Sequence, residues 1–117
     1  MAIYMNNEND VTLSDSNQTL TTTFIKAYYY TVLDDRLDNL LLNVQYGFYL
    51  NVVKWFENWR TNKLRVDGLP YNRSIELDYS RTNDGPDMEL FIYEKVKEDI
   101  LNYFPTWVAE DLEIVST

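Results

Sequence analysis

With neither histidine nor cysteine present, carboxylates are the main side chains of this chain suited to acid–base or metal chemistry. The 117 residues include no histidine and no cysteine, which excludes imidazole bases, thiolate nucleophiles and the usual zinc ligands. The three glycines lie far apart, at positions 47, 68 and 85, so the sequence has no glycine-rich phosphate loop. An enzyme built from this chain would need a carboxylate pair, as in glycosidases, or a hard-cation site.

The candidate carboxylate pairs have neighbours that favour ordinary surface positions. Glu76 and Asp78 alternate with apolar residues, which predicts the solvent-facing side of a strand. Asp84 and Asp87 lie in a turn-like segment, RTNDGPD, whose preceding residues do not match a calcium loop. We therefore expect no enzymatic activity, no catalytic residues, no metal and no cofactor.

Negative charge is concentrated in the C-terminal third. The formal net charge is −9; residues 76–113 hold eleven acidic and three basic residues, a net of −8, whereas residues 54–73 are locally +3. Such a surface could dock on a basic site of another protein, including a nucleic-acid-binding site. The simpler interpretation is a solvated face that keeps the domain in solution. The predicted partner-binding residues are Glu76, Asp78, Asp84, Asp87, Glu89, Glu94, Glu98, Glu110, Asp111 and Glu113.

The stretch VVKWFENWRTNK, residues 52–63, interleaves aromatic and basic side chains. Trp55 and Trp59 are four residues apart, which places both on one stripe of a helix and favours a buried core with a cationic helix end. Base stacking requires exposed rings, and the overall negative charge opposes nucleic-acid binding, so we expect no direct nucleic-acid contact. A protein interface anchored by Trp and Arg is a third reading.

Large apolar side chains recur every three or four residues before and through this stretch. This spacing predicts one long amphipathic helix over residues 36–60, in which Gly47 would cost about 1 kcal/mol. Residues 19–33, TLTTTFIKAYYYTVL, fit either a helix or a strand, and the helix that follows favours a helical hairpin. The members of the stripe are Leu37, Leu41, Val44, Phe48, Val52, Trp55 and Trp59.

The second half predicts a small antiparallel sheet and a C-terminal helix. We expect strands at 63–66 and 73–80 and a helix over 94–104 that ends before Pro105. Residues 88–93 fit either another strand or the first turns of that helix, and the run LEIV near the end could add an edge strand. The predicted fold class is α+β, with a helical N-terminal half packed on a small antiparallel sheet.

Domain organisation and compartment follow from composition. Residues 1–18 are rich in Asn, Asp and Ser, which predicts a flexible or partner-ordered arm before one globular domain at 19–117. The chain has no signal-like N-terminus and no apolar run long enough to cross a bilayer. We expect a protein of the host-cell cytoplasm, or of a virion if its role is structural.

Two classes of function remain, and neither involves catalysis. The composition, rich in Asn, Asp and Tyr, has the character of small bacteriophage or mobile-element proteins. The first class is an acidic protein that binds another protein and blocks its basic or nucleic-acid-binding site, as inhibitors, immunity proteins and anti-defence proteins do. The alternative is a structural or assembly subunit of a viral particle, of the connector or tail type. A homo-oligomer is compatible with either class, and neither involves a membrane.

Overall fold

The fold is described from a computed structural model, which covers residues 1–5, 11–33 and 39–116. The described chain has seven strands, two α-helices and one short 3-10 helix. The strands are β1 (Ala2–Met5), β2 (Val11–Thr12), β3 (Thr19–Leu20), β4 (Thr23–Leu33), β5 (Asn39–Tyr49), β6 (Ser74–Ser80) and β7 (Leu112–Val115). The helices are α1 (Val52–Asn58), α2 (Met88–Tyr103) and the 3-10 helix Ala109–Asp111. Five strands form one antiparallel sheet in the order β6-β5-β4-β1-β7, and β2 pairs with β3 separately.

The centre of the sheet is the pair β4 and β5, which corrects the predicted N-terminal half. Phe24 lies opposite Tyr49 at one end of the pair, and Leu33 lies opposite Leu40 at the other. The predicted helix over 36–60 and the helical hairpin with 19–33 are therefore wrong, and the molecule is mostly antiparallel sheet with two short helices. Residues 36–38 of the predicted helix lie outside the described residues.

The residues of β5 fit both the three-to-four-residue spacing of a helix and the two-residue alternation of a strand. Pairing with β4 selects the strand. Every second position of β5 is large and apolar, and this alternation places those side chains on one face of a strand. The partner strand β4 supplies Thr, Tyr and Val, which suit a pleated sheet. Helix forms only in the last part of the predicted span, where the Asn51 side chain accepts a hydrogen bond from the Lys54 amide at 3.0 Å and caps α1. The alternating residues are Leu40, Leu42, Val44, Tyr46 and Phe48.

The second half agrees better with its local sequence signals. The predicted strand at 73–80 is confirmed as β6, and the LEIV run forms the edge strand β7. Residues 88–93 are helical, because the Asp87 side chain accepts from the Leu90 amide at 3.0 Å and starts α2 at Met88. The predicted strand at 63–66 is wrong: only Val66 pairs, in an isolated bridge to Leu13.

The first residues of the chain lie inside the sheet. Where the sequence predicts a loose arm, residues 2–5 form β1 between β4 and β7, with Ala2, Ile3 and Met5 fully buried. Apolar side chains on both faces of β1 and pairing along both of its edges account for this placement. Residues 6–10 of the expected arm lie outside the described residues.

The sheet has an inner face, covered by α2, and an outer face, partly covered by α1. The inner face carries the main core, to which α2 contributes Phe91, Ile92, Tyr93, Val96 and Ile100. A smaller cluster on the outer face joins Ala2, Phe24 and Tyr49 to Val52, Trp55 and Val115. Within the described ranges, neither helix is both long and apolar enough to cross a membrane.

Candidate functional site

An apolar groove opens between the outer face of the sheet and α1. Its volume is about 840 Å³, and it is open to solvent. The strands supply its floor, and the start of α1 supplies one wall. The lining residues are Tyr4, Thr22, Thr23, Phe24, Leu50, Asn51, Val52, Phe56 and Val115.

The position of α1 leaves large apolar side chains in water beside this groove. Val52 and Trp55 pack on the outer-face cluster, but none of the seven residues of α1 is fully buried. Phe56 is 72% exposed and Val53 is 56% exposed. The Phe56 ring packs edge-on against Trp55, with 4.8 Å between ring centroids. The supported ring of Phe56 thus stands at the rim of the groove.

A basic–aromatic cleft lies further along the outer face, where the chain turns back over β5 after α1. The Lys63 ammonium donates a hydrogen bond to Tyr28 Oη at 3.1 Å and lies 4.5 Å from the centre of the Tyr71 ring. The Arg65 guanidinium lies 4.1 Å from the same Tyr71 ring. The Arg60 guanidinium lies 4.9 Å from the Trp59 ring. The cleft has a volume of about 180 Å³; Arg65 lies outside its lining, which consists of Tyr28, Gln45, Trp59, Arg60, Lys63, Tyr71 and Asn72.

Gly47 makes room for the lysine of this cleft. A Cβ atom at position 47 would come within 2.9 Å of the methylene groups of Lys63, so the side chain lies directly on the backbone of β5. Burial lowers the pKa of Lys63, and the positive charge of Arg65 lowers it further. Burial likewise raises the pKa of Tyr28. The cleft is therefore partly desolvated and positively charged.

The groove and the cleft belong to one continuous surface around α1. A depression of about 270 Å³ lies between them. Leu50 lines both the groove and this depression, and Lys63 lines both the depression and the cleft. A ligand or partner could therefore contact apolar and cationic groups along a single path.

The predicted acidic residues do not share one face. Glu76 and Asp78 lie exposed on β6, on the side of the sheet opposite α2, whereas Glu94 and Glu98 are exposed on α2 itself. Glu113 lies on β7, at the other edge of the sheet from β6. Of the remaining five, two lie in the turn before α2, one in its first turn, and two in the 3-10 helix before β7; they are Asp84, Asp87, Glu89, Glu110 and Asp111.

Several of these carboxylates have structural partners. Asp84 accepts from the Ser80 amide at 3.0 Å, and Asp87 caps α2. Glu89 pairs with the N-terminal ammonium at 3.0 Å, and Glu98 pairs with Lys95 at 3.2 Å. In residues 1–5, 11–33 and 39–116, no three acidic side chains converge in a way that could hold a metal ion.

One sequence pattern, which we assigned to a buried helix, was in fact a signal for this exposed surface. The interleaved rings and cations of residues 52–63 do build an exposed surface, with Trp59 37% exposed beside Arg60 and Phe56 in water. The assignment of both tryptophans to one buried helical stripe is wrong, because α1 ends at Asn58 and Trp59 follows it. Tyr28, another ring of the cleft, lies 35 residues before Lys63 in the sequence, so no local pattern could have placed it there.

Comparison with known proteins gives no match, whether the chain is set against protein-family models, curated proteins or solved structures.

Proposed function

We propose that this chain is a non-enzymatic protein-binding protein that docks its partner in the apolar groove beside α1. The observation that carries the proposal is Phe56, a large apolar side chain held in water at the rim of a groove of about 840 Å³. Exposed apolar patches that adjoin a groove are typical of interaction surfaces. Aromatic side chains at the centre of such patches supply much of the binding free energy.

A protein partner fits this groove better than a small molecule does. Pockets for small ligands enclose most of the ligand surface, whereas this groove is open. Apolar surface also continues beyond it, through Leu50, which is exposed, and Val53 on α1. The occupant that we propose is an amphipathic segment of another protein, with large apolar side chains that enter the groove.

Affinity capture with matched baits tests this function. The bait Phe56→Ser removes the exposed ring, and Val108→Ser removes an exposed apolar side chain in the segment after α2. A partner should be captured by the native chain and by Val108→Ser but lost with Phe56→Ser. Binding of the purified partner should weaken by about tenfold or more in Phe56→Ser, the loss expected for an aromatic anchor.

Two results would contradict the proposal. A partner that binds Phe56→Ser as tightly as the native chain does not dock in the groove. Equal losses with Phe56→Ser and Val108→Ser would indicate general stickiness of apolar surface. Circular dichroism of both variants checks that the fold is retained, which we expect because both side chains are exposed.

A second candidate function is the occupation of a partner's basic site by the outer carboxylates of α2. The observation that favours it is Glu94, which is exposed and makes no hydrogen bond or ion pair with a described residue. Glu98 lies one turn further along the same side of the helix, although Lys95 partly offsets its charge. Carboxylates presented in this way would be attracted to cationic side chains that otherwise bind phosphates.

A further inference from the structure

Lys63 is a half-buried cation that forms no ion pair with a carboxylate of residues 1–5, 11–33 and 39–116. Buried charges in proteins are normally paired, because removing an ion from water is costly. The Lys63 ammonium instead contacts a tyrosine hydroxyl and the face of Tyr71. Neither Arg60, Lys63 nor Arg65 forms a salt bridge with any described carboxylate.

This arrangement is unusual for a chain with a net charge of −9. The chain has nineteen acidic residues and ten basic ones, yet Arg60, Lys63 and Arg65 form no ion pair with a described carboxylate. Mutual repulsion makes this costly, since Arg65 is close enough to Lys63 to lower its pKa. A bound anion would remove both the repulsion and the cost of partial burial.

We propose that the basic–aromatic cleft binds the phosphate group of a small molecule, with Lys63 and Arg60, the two cations of its lining, as ligands and with Arg65 adding positive charge from outside the lining. Ammonium and guanidinium groups form the strong, charge-assisted hydrogen bonds that phosphate oxygens accept. Tyr28 and Tyr71 orient the lysine. This site lies beyond the apolar groove and does not depend on the proposed docking function.

The size of the cleft limits the ligand. About 180 Å³ is below the range of typical drug-sized ligand sites, so only the charged group enters. A doubly charged phosphate suits the two cations of the lining, Arg60 and Lys63, better than a singly charged carboxylate does. The rings are already engaged, since Tyr28 and Trp59 pack against each other with centroids 4.8 Å apart. Stacked bases of a nucleic acid would have no free ring here, and the overall negative charge opposes a polyanion.

Titration with inorganic phosphate, followed by two-dimensional NMR, tests the site. Phosphate should shift the backbone signals of residues 59–65 and of Tyr71, and sulfate should shift the same signals because it has the same shape and a double charge. Chloride at equal ionic strength should leave them unmoved. Shifts of equal size with chloride, or no shifts with phosphate, would overturn the proposal.

Matched charge variants distinguish a built site from the general field of the protein. Arg60→Gln and Lys63→Met should each weaken phosphate binding by about tenfold, the loss expected for one charge-assisted hydrogen bond. Arg60 is exposed, so its variant tests the site without disturbing packing. The control is Lys97→Met on α2, which removes the same charge from the opposite side of the sheet and should leave binding unchanged. A loss with Lys97→Met as large as that with Lys63→Met would show non-specific attraction and overturn the assignment.

Discussion

The Arg73 guanidinium donates two hydrogen bonds to the Asp99 carboxylate, from Nε at 2.9 Å and from Nη2 at 2.7 Å. Asp99 lies on α2, and its Oδ2 also accepts a hydrogen bond from Tyr46 Oη at 2.6 Å. Tyr46 projects from the inner face of β5, and Arg73 immediately precedes β6. One carboxylate therefore ties the helix to two neighbouring strands of the sheet.

This carboxylate should make stability depend on pH in the acid range. Burial by itself raises the pKa of Asp99, but the hydrogen bonds from Arg73 and Tyr46 outweigh it and hold the pKa below its ordinary value of 3.8. The folded pKa is lower than the unfolded one, so the contribution is present above about pH 4 and is lost as the pH falls through the folded pKa. Asp99→Asn should lower the free energy of unfolding by about 2 kcal/mol at neutral pH and weaken its dependence on acid pH. Urea unfolding at several pH values measures both effects.

The control for this prediction is Glu94→Gln, on the same helix. Its side chain is exposed and unpaired among the described residues, so the variant should unfold with the pH dependence of the native chain. If Asp99→Asn kept the full acid dependence, the network would not be its source.

Two adjacent aromatic residues of α1 should differ sharply in their contribution to stability. Trp55 packs against the outer-face cluster, and the Lys26 ammonium lies 4.8 Å from its ring centre. Because Trp55 is only partly buried, Trp55→Ala should cost about 2 kcal/mol, less than a fully buried tryptophan would. Phe56→Ala should change stability by no more than about 0.5 kcal/mol. Thermal and denaturant unfolding compare the two, and equal losses would contradict the packing described for α1.

Gly47 should control the position of Lys63. In Gly47→Ala the added methyl group would meet the Lys63 methylenes, and a flexible lysine can move aside at little cost in stability. The displaced ammonium becomes better solvated, so the pKa of Lys63 should rise toward its ordinary value of 10.5. NMR titration of the lysine side chains would measure that rise, with Lys97 as the internal reference. An unchanged pKa of Lys63 would show that the lysine does not depend on this glycine.

The outer carboxylates of α2 should contribute to binding through charge if the second candidate function is correct. The double variant Glu94→Lys with Glu98→Lys should weaken affinity for the captured partner and flatten its dependence on salt. Asp78→Lys makes the same kind of change on the outer face of β6 and should have little effect. A second double variant, Glu110→Lys with Asp111→Lys, tests whether the acidic surface extends to the 3-10 helix. Unchanged affinity in both double variants would exclude docking by charge.

Local signals in the sequence identified two elements of the second half, the strand β6 and the C-terminal part of α2, although the strand predicted at 63–66 is wrong. Strict alternation around Glu76 and Asp78 identified β6, and a helix was expected before Pro105 because proline cannot continue one. The sequence did not decide whether residues 88–93 form a strand or a helix, because MELFIY fits the periodicity of both. The side chain of Asp87 decided it, by capping a helix that starts at Met88, six residues before the predicted start at 94.

The first half could not be assigned in this way, because its apolar residues satisfy both periods. Leu41, Val44 and Phe48 are spaced as on a helix, yet Val44 and Phe48 also belong to a run in which every second residue is large, and Leu41 falls on the opposite, exposed face. A helix makes its hydrogen bonds within itself, whereas a strand needs a neighbour. That neighbour is β4, whose own sequence was equally ambiguous.

By itself, the sequence determined which types of reactive side chain are present and the excess of negative charge. It also determined those helices and strands whose caps and alternation allow only one interpretation. These follow from residue type and from contacts only a few positions apart. Tertiary structure alone decided that β4 and β5 pair, and that Tyr28 and Tyr71 meet Lys63 over Gly47. It also decided that Arg73 reaches Asp99, 26 residues away. Such contacts depend on which distant segments become neighbours. Strand pairing in the sheet determines these neighbours, and it forms only when the whole chain folds.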